Sequence, residues 1–599
     1  MNKNYKAHLK KIYIIPGIAL VLMAFSNFTF ASTATELPIP QSHYQDSHLN
    51  TYLEIISYRV QDEPFNAITT VIFFIAIAHT LLTSFFIKGA HRLEAQYQVL
   101  VERGERDKNS HSIPASILHL LGEVEVVFGF WSVFLGLAIA FYYDWDTFVT
   151  YVENLEYSQP LFVIVIMTIA SSRPIIKLFE LILWRIVRVI GDSLEVWWLT
   201  ILILSGILGA FITGPAAMAI AALLLGEKFY SLNPSRKLRY VTLALLFVNI
   251  SIGGFLTNFA SPPIMMVAGV WQWDMVFMLT SFGWKAVLVI FLVTFMYYFY
   301  SRKELGDLKI AYESYKFKRY IQRRFISQKE LEENFTELEK LVDKKVHFTS
   351  ELDAYSVILK ENIKMLASEK LTPQECEQYD ISHAIDEKFD DIVSEEKYKS
   401  IPGLIKADDR ARMLDIHWDE REDRVPMWVM VVHVFFLIWT VVNANLPVLF
   451  LGGFLFFLGF YQVTEFYQNK LDLKPALLVA FFLSGIMIHG SLQSWWIAPL
   501  LSRLQPLPLN LVSTVLTAFN DNAAITYLSS LVPNFPENLK YAVVSGALTG
   551  GGLTVIANSP NPIGLSVLKK YFTSGVSAGM LLKYALAPTI VAALIFNLL

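Results

Sequence analysis

Cysteine is nearly absent. Cys376 is the only one among 599 residues, which excludes a disulfide within the chain and any metal site built on several thiolates. Charge is scarce too: Asp, Glu, Lys and Arg make up 17% of the chain against about a quarter in soluble domains, while 54% is hydrophobic and the mean hydropathy is +0.44. The charge that exists is segregated into loops and one long stretch, so the net value of −4 says little about partners, and no nucleic-acid partner is expected. Also missing are a phosphate-binding loop, a nucleophile elbow and His/Cys spacings suited to a metal. Neither an enzyme nor a resident cofactor is expected.

What fills the chain is apolar runs of the ~20 residues needed to cross ~30 Å of hydrocarbon, without the alternating pattern of an outer-membrane barrel. The expected fold is an all-α polytopic membrane protein. Lys3, Lys6, Lys10 and Lys11 precede an apolar run from Ile12 to Phe30 and then Ala31-Ser32-Thr33-Ala34, so residues 1–31 read as a signal peptide or an uncleaved anchor, and 32–65 as a periplasmic segment. Spans are expected near 68–87, 115–142, 160–183 and 275–300, with segments broken at 213–215 and 258–263. After residue 425 they recur near 427–445, 447–466, 474–497 and 577–598, with breaks at 520–522 and 558–562. The chain thus divides into a first membrane repeat, 66–300, an insert, 301–425, and a second repeat, 426–599.

The breaks correspond. Thr213-Gly214-Pro215-Ala216-Ala217 is followed by Gly253-Gly254 and Ser261-Pro262-Pro263, and Asn520-Asp521-Asn522-Ala523-Ala524 by Gly551-Gly552 and Ser559-Pro560-Asn561-Pro562. An interrupted helix survives in lipid only where it is buried in protein or lines a wet cavity, and matched interruptions in two halves point to a transporter's binding site. Lys88, Arg92, Arg103, Arg106 and Lys108, and again Arg185 and Arg188, mark cytoplasmic loops, with Asp144, Asp146, Glu153 and Glu156 outside. Lys228, Arg236, Lys237 and Arg239 are as basic as the entry to the Thr213 segment, so that segment reads as a re-entrant hairpin. The arms around Asp521, about 10–12 residues or roughly 15–18 Å, are too short to cross. Parity then gives two repeats of inverted topology, each with about five spans, one of them broken, and one re-entrant hairpin. The charged insert is helical and cytoplasmic, with capping boxes at Ser327-Gln328-Lys329-Glu330 and Thr372-Pro373-Gln374-Glu375.

A carboxylate in the membrane interior costs at least ~2.5–3.5 kcal/mol and usually marks an ion or proton path. Asp521 is therefore the leading candidate, although it could also simply cap the return arm of its hairpin. Helix-end carbonyls, one carboxylate and amide oxygens are hard ligands for an alkali cation, and a desolvated carboxylate takes up either a proton or that cation, so the two compete. Asn520, Asn522, Asn558, Ser559 and Asn561 supply oxygens from the same half, and Thr213, Asn258 and Ser261 from the other; Thr213 can equally be a helix-end bond. The Gly253-Gly254 and Gly550-Gly551-Gly552 runs read as close helix packing. His119, Glu123 and Glu125 put three titratable groups in one span. On a continuous helix His119 and Glu123 share a face and Glu125 lies roughly 200° from Glu123, so one cavity is not expected to use both acids directly; Glu123, His119 and Glu125 are the candidate proton relay, with Glu123 alternatively a structural partner of Arg173 or Lys285. Lys285 and Lys583 read as snorkelling, and His433 and His489 as packed.

At these residues the chain resembles the bacterial ion-transporter superfamily, whose members share inverted repeats with a re-entrant hairpin and a broken helix in each. Asp521-Asn522 is similar to the Asp-Asn pair of its antiporter and arsenite branches, Asn558-Ser559-Pro560 to its small-polar-Pro motif, and Glu123-Val124-Glu125-Val126-Val127-Phe128-Gly129-Phe130-Trp131 to a signature of a smaller sodium/proton antiporter family. The resemblance covers both membrane halves and not the insert. It implies an inner-membrane secondary antiporter exchanging Na⁺, with Li⁺ a second candidate, for H⁺, with no metal beyond the transported alkali cation; a homodimer is left open. Two other readings stand beside it: a Na⁺- or H⁺-coupled carboxylate or oxyanion transporter, which the first hairpin and Asp521 speak against, and a transporter-derived sensor signalling through the insert.

Overall fold

A computed structural model of the chain describes residues 36–400 and 424–599, apart from 47, 107–109, 111, 327–330, 332, 336, 339–344 and 573–574. The expected leader at 1–31 and the capping box at 327–330 lie outside the described residues. Every described element is helical. The first half runs α1 (Tyr52–Asp62), α2 (Phe65–Glu102), α3 (Ile113–Gly122), α4 (Val124–Tyr142), α5 (Trp145–Glu153), α6 (Ser158–Ala170), α7 (Arg173–Ile190), α8 (Leu194–Ile212), α9 (Gly214–Lys228), α10 (Arg236–Gly253), α11 (Pro262–Ala268), α12 (Met275–Met278) and α13 (Trp284–Asp307). The insert holds α14 (Lys309–Phe325), α15 (Lys345–Lys370), α16 (Pro373–Gln378) and α17 (Ile381–Ser400). The second half continues with α18 (Met427–Val442), α19 (Pro447–Val463), α20 (Lys474–Gly490), α21 (Ser494–Leu501), α22 (Pro506–Thr517), α23 (Asn522–Ser530), α24 (Glu537–Gly550), α25 (Pro560–Leu568) and α26 (Ala578–Leu598).

Among the described residues, seven helical stretches are long and apolar enough to cross a membrane, and α6 with α7 forms an eighth bent by 62°. Three expected spans differ in shape. The one foreseen at 68–87 belongs to a 38-residue helix, α2, so Lys88 and Arg92 ride on a helix instead of a loop. The one at 115–142 is two helices parted at Glu123, whose backbone (φ −79°, ψ 118°) leaves the helical region. The one at 160–183 bends where Ser171 and Ser172 end α6 and Pro174 opens α7, a first-turn position that suits proline because the N–H there has no intrahelical partner.

The breaks organise the packing. At the first, Thr213 takes a positive φ of 76° and α9 folds back along α8. By length both arms could cross, since α8 and α9 with its 3₁₀ extension are each 19 residues. The arms around Asp521, α22 and α23, are 12 and 9 residues, so shortness distinguishes the second hairpin alone. Within each half the first arm packs on the leading part of the broken helix, α8 on α10 and α22 on α24. The second arms exchange partners: α9 packs on α25 of the second half and α23 on α11 of the first. Gly253 meets the backbone of Gly206, and Gly550 that of Thr514; a side chain at either place would drive the helices apart.

The insert has a core of its own, with Ile321, Phe335, Leu352, Ile385 and Phe389 buried. Thr372 and Glu375 form the expected capping box: Glu375 N–H donates to Thr372 Oγ1 at 3.3 Å and Thr372 N–H to Glu375 Oε2 at 2.9 Å.

Candidate functional site

Asp521 stands at the N-cap of α23, 3% exposed. Its Oδ1 accepts the Ala523 N–H at 2.8 Å, and its own N–H donates to Asn520 Oδ1 at 3.0 Å. The next residue ties the tip to the second break, the Asn522 N–H donating to the Ala557 carbonyl at 3.2 Å. That break is held open from inside: Asn561 Nδ2 donates to the carbonyls of Gly551 and Thr554, 2.8 Å each. These are carbonyls of the kind that an interrupted helix frees and that must find partners in lipid.

Several oxygens nearby have no such partner. Asn522 Oδ1, Asn558 Oδ1, Ser559 Oγ and Asn561 Oδ1 are buried and make no hydrogen bond among the described residues, nor do Thr213 Oγ1 and Ser261 Oγ at the breaks of the first half. A buried polar atom left unpaired costs about 1–3 kcal/mol, and a cluster of them is a set of hard ligands. Asp521, Asn558 and Ser559 line a cavity of about 10 Å³, room for roughly one water-sized particle, closed by Val124, Phe482, Val555, Ile556, Pro562 and Glu125.

Glu125, not Glu123, faces this cavity. The reading from one continuous helix fails because α3 ends at Gly122 and α4 starts afresh at Val124, so angles counted through Glu123 do not hold. Gly122 is pressed against Ile87, leaving no room for a Cβ. The parted helix leaves the Leu121 carbonyl without an intrahelical donor. His79 supplies one, Nε2–H to Leu121 at 2.9 Å, and Trp131 Nε1–H fixes that tautomer by donating to His79 Nδ1 at 3.0 Å. Gly129 brings α20 in close, its neighbour being the Phe481 ring, while Gly485 sits on the Gly129 backbone. This crossing carries Phe482 to the cavity wall, 5.8 Å ring to ring from Phe128. The stretch from Glu123 to Trp131 therefore has a physical reading at Glu125, Phe128, Gly129 and Trp131. His79 was invisible to motif reading, because its partner is created by a helix break.

The other expected residues lie elsewhere. Of the expected ligands only Asp521, Asn558 and Ser559 line the cavity; Asn520, Asn522, Asn561, Thr213, Asn258 and Ser261 do not. Gly214 nevertheless brings the first hairpin tip to the second break, a Cβ there standing 3.0 Å from Pro560 Cγ. His119 pairs edge-on with His91, 5.1 Å between ring centroids. Lys285 donates to Tyr541 Oη at 2.8 Å, and Arg173 to the Tyr467 carbonyl at 3.1 Å. His433 donates from Nδ1 to the Val429 carbonyl at 2.8 Å, and His489 is fully buried.

Long apolar helices enclosing a buried carboxylate among unpaired oxygens define a multi-pass membrane transport protein. The chain belongs to the family described as "Putative Na+/H+ antiporter", whose model matches residues 64–324 and 405–599. None of the curated proteins matches it. The family match takes in both membrane halves and also the first helix of the insert, further than the resemblance in the motifs reached.

Proposed function

We propose that the protein exchanges Na⁺ for H⁺ across a bacterial inner membrane, with Asp521 as the group that holds either one. The observation that carries this reading is a 3%-exposed carboxylate on a cavity of about 10 Å³ beside oxygens that have no other partner. Asn522, Asn558, Ser559 and Asn561 are the ligands, Asn520 braces the tip, and Glu125 is the second acid on the proton path. Thr213, Ser261 and Asn258 join from the first half as access alternates; the contact of Gly214 with Pro560 supports that role. The exchanged packing of α9 with α25 and α23 with α11 supports two inverted repeats, which a two-fold axis in the membrane plane would relate through just such a pair of contacts. On that topology the insert is cytoplasmic. Two carboxylates at one cavity disfavour an anionic substrate.

The test is cation-induced collapse of a preset pH gradient in proteoliposomes with Na⁺, Li⁺ and K⁺. Na⁺ dissipates the gradient in the parent protein and fails to do so in Asp521→Asn. A parent that ignores all three cations, or a mutant that behaves as the parent, rules the reading out.

A further inference from the structure

We infer that α14 is a positioning element for the exchange: it clamps both feet of the α8–α9 hairpin and so fixes where the hairpin tip stands against the second break. The inference rests on the antiport reading above. Tyr312, Tyr315, Lys316 and Arg319 recur at the i, i+3, i+4, i+7 spacing of one helix face, and all four reach the membrane body. Tyr312 Oη donates to Asp192 at 3.0 Å and Lys316 pairs with it at 2.9 Å. Asp192 lies in the turn that enters α8, where Trp197 Nε1–H also donates to it at 2.8 Å. Partial burial works against the charge on Asp192, but the bonds from Lys316, Trp197 and Tyr312 outweigh it and hold the carboxyl below its usual range. At the other foot, the end of α9, Glu227 accepts from Tyr315 Oη and Arg319 at 2.8 Å each and pairs with Lys228 at 2.9 Å. Lys228 in turn stands 5.6 Å from the ring centres of Trp184, Trp197 and Tyr315.

One helix therefore staples the start of α8 to the end of α9. Between those feet the hairpin rises to Thr213 and Gly214, against Pro560, and α9 lies along α25. A displacement at the feet is passed to the tip by two rigid helices. The family match supports treating α14 apart from the rest of the insert, because it ends at residue 324 and resumes only at 405. The clamp helix is thus a part of the insert that the family match shares with the membrane halves, while its far side, through Ile321, packs into the core it shares with α15 and α17.

The test compares the parent with Lys316→Ala/Arg319→Ala and with Glu227→Gln in proteoliposomes, reading maximal Na⁺-driven proton flux separately from the half-saturating Na⁺ concentration. Release of the clamp lowers the maximal rate by about two- to fivefold, the scale of such partly exposed pairs, and leaves half-saturation unchanged. The charge swap Asp192→Lys/Lys316→Asp recovers the rate relative to Lys316→Asp alone. Parent-like rates in the released variants, a change in half-saturation instead of rate, or a swap without recovery overturns the inference. If the released variants unfold, a disulfide between Asp192→Cys and Lys316→Cys in a Cys376→Ser background decides. The oxidised protein transports at the parent rate and the reduced one more slowly; arrest on oxidation shows that the clamp must open in the cycle and refutes a fixed positioning role. A parent without cation-driven flux removes the antiport reading, and this inference falls with it, while the disulfide yield still reports whether the clamp forms.

Discussion

At Asp521 one side chain serves both the backbone and the site. Its Oδ1 caps α23 through the Ala523 N–H, and the same carboxylate borders the cavity. Asparagine caps a helix about as well as aspartate, so Asp521→Asn keeps the fold and removes only the charge, which separates capping from ion binding. Glu125 and Glu123 are separated in the same way. Glu125→Gln slows Na⁺-driven flux by about a hundredfold or more, the range expected for loss of a proton-transfer group, whereas Glu123→Gln stays near the parent; initial rates in proteoliposomes measure both, and the reverse order would return the relay to Glu123. Asp521 and its Asn neighbours were legible in the sequence because a charged residue inside an apolar run has few reasons to be there. Glu125 was a candidate too, but which of the two acids faces the cavity was not legible, because it depends on a break at Glu123 that no proline announces, stabilised by His79 more than forty positions upstream.

Among the elements, the α4–α20 crossing is closely constrained by backbone contact. A Cβ on Gly485 would lie 2.5 Å from the Gly129 nitrogen and 2.6 Å from the Phe128 carbonyl carbon; both are backbone, so no rotamer change relieves the clash. Gly485→Ala therefore costs about 1–3 kcal/mol and shifts Phe482 from the cavity, lowering both thermal stability in detergent and flux. Gly459→Ala, with nothing within 4 Å of the added carbon, is the control and leaves both unchanged; equal behaviour of the two variants would show that the crossing tolerates separation. Hydropathy found the apolar helices, and the polar, Gly- and Pro-bearing islands within them found the four breaks. The lengths of α2 and of the first hairpin escaped it, because amphipathic continuations such as 88–102 pass the helix criteria while failing the apolar ones.

Over the whole molecule, two membrane halves exchange hairpin arms around one cavity, and the insert touches them through α14. The helices α15 to α17 share a core with one face of α14 and lie beyond the family match. Replacing residues 331–400 with a flexible linker while keeping α14 leaves Na⁺-driven flux within about twofold of the parent, since the clamp is retained; loss of flux would favour the reading in which the insert is the output of a sensor. The most direct test of the central claim, that a proton and a cation compete for Asp521, is proton release on adding Na⁺ to the purified protein in weakly buffered detergent. The account predicts saturable release by Na⁺ from the parent, weaker as the starting pH is raised and the carboxylate is already bare, and none from Asp521→Asn. Undiminished release from the mutant, or none from the parent at any pH, would contradict it.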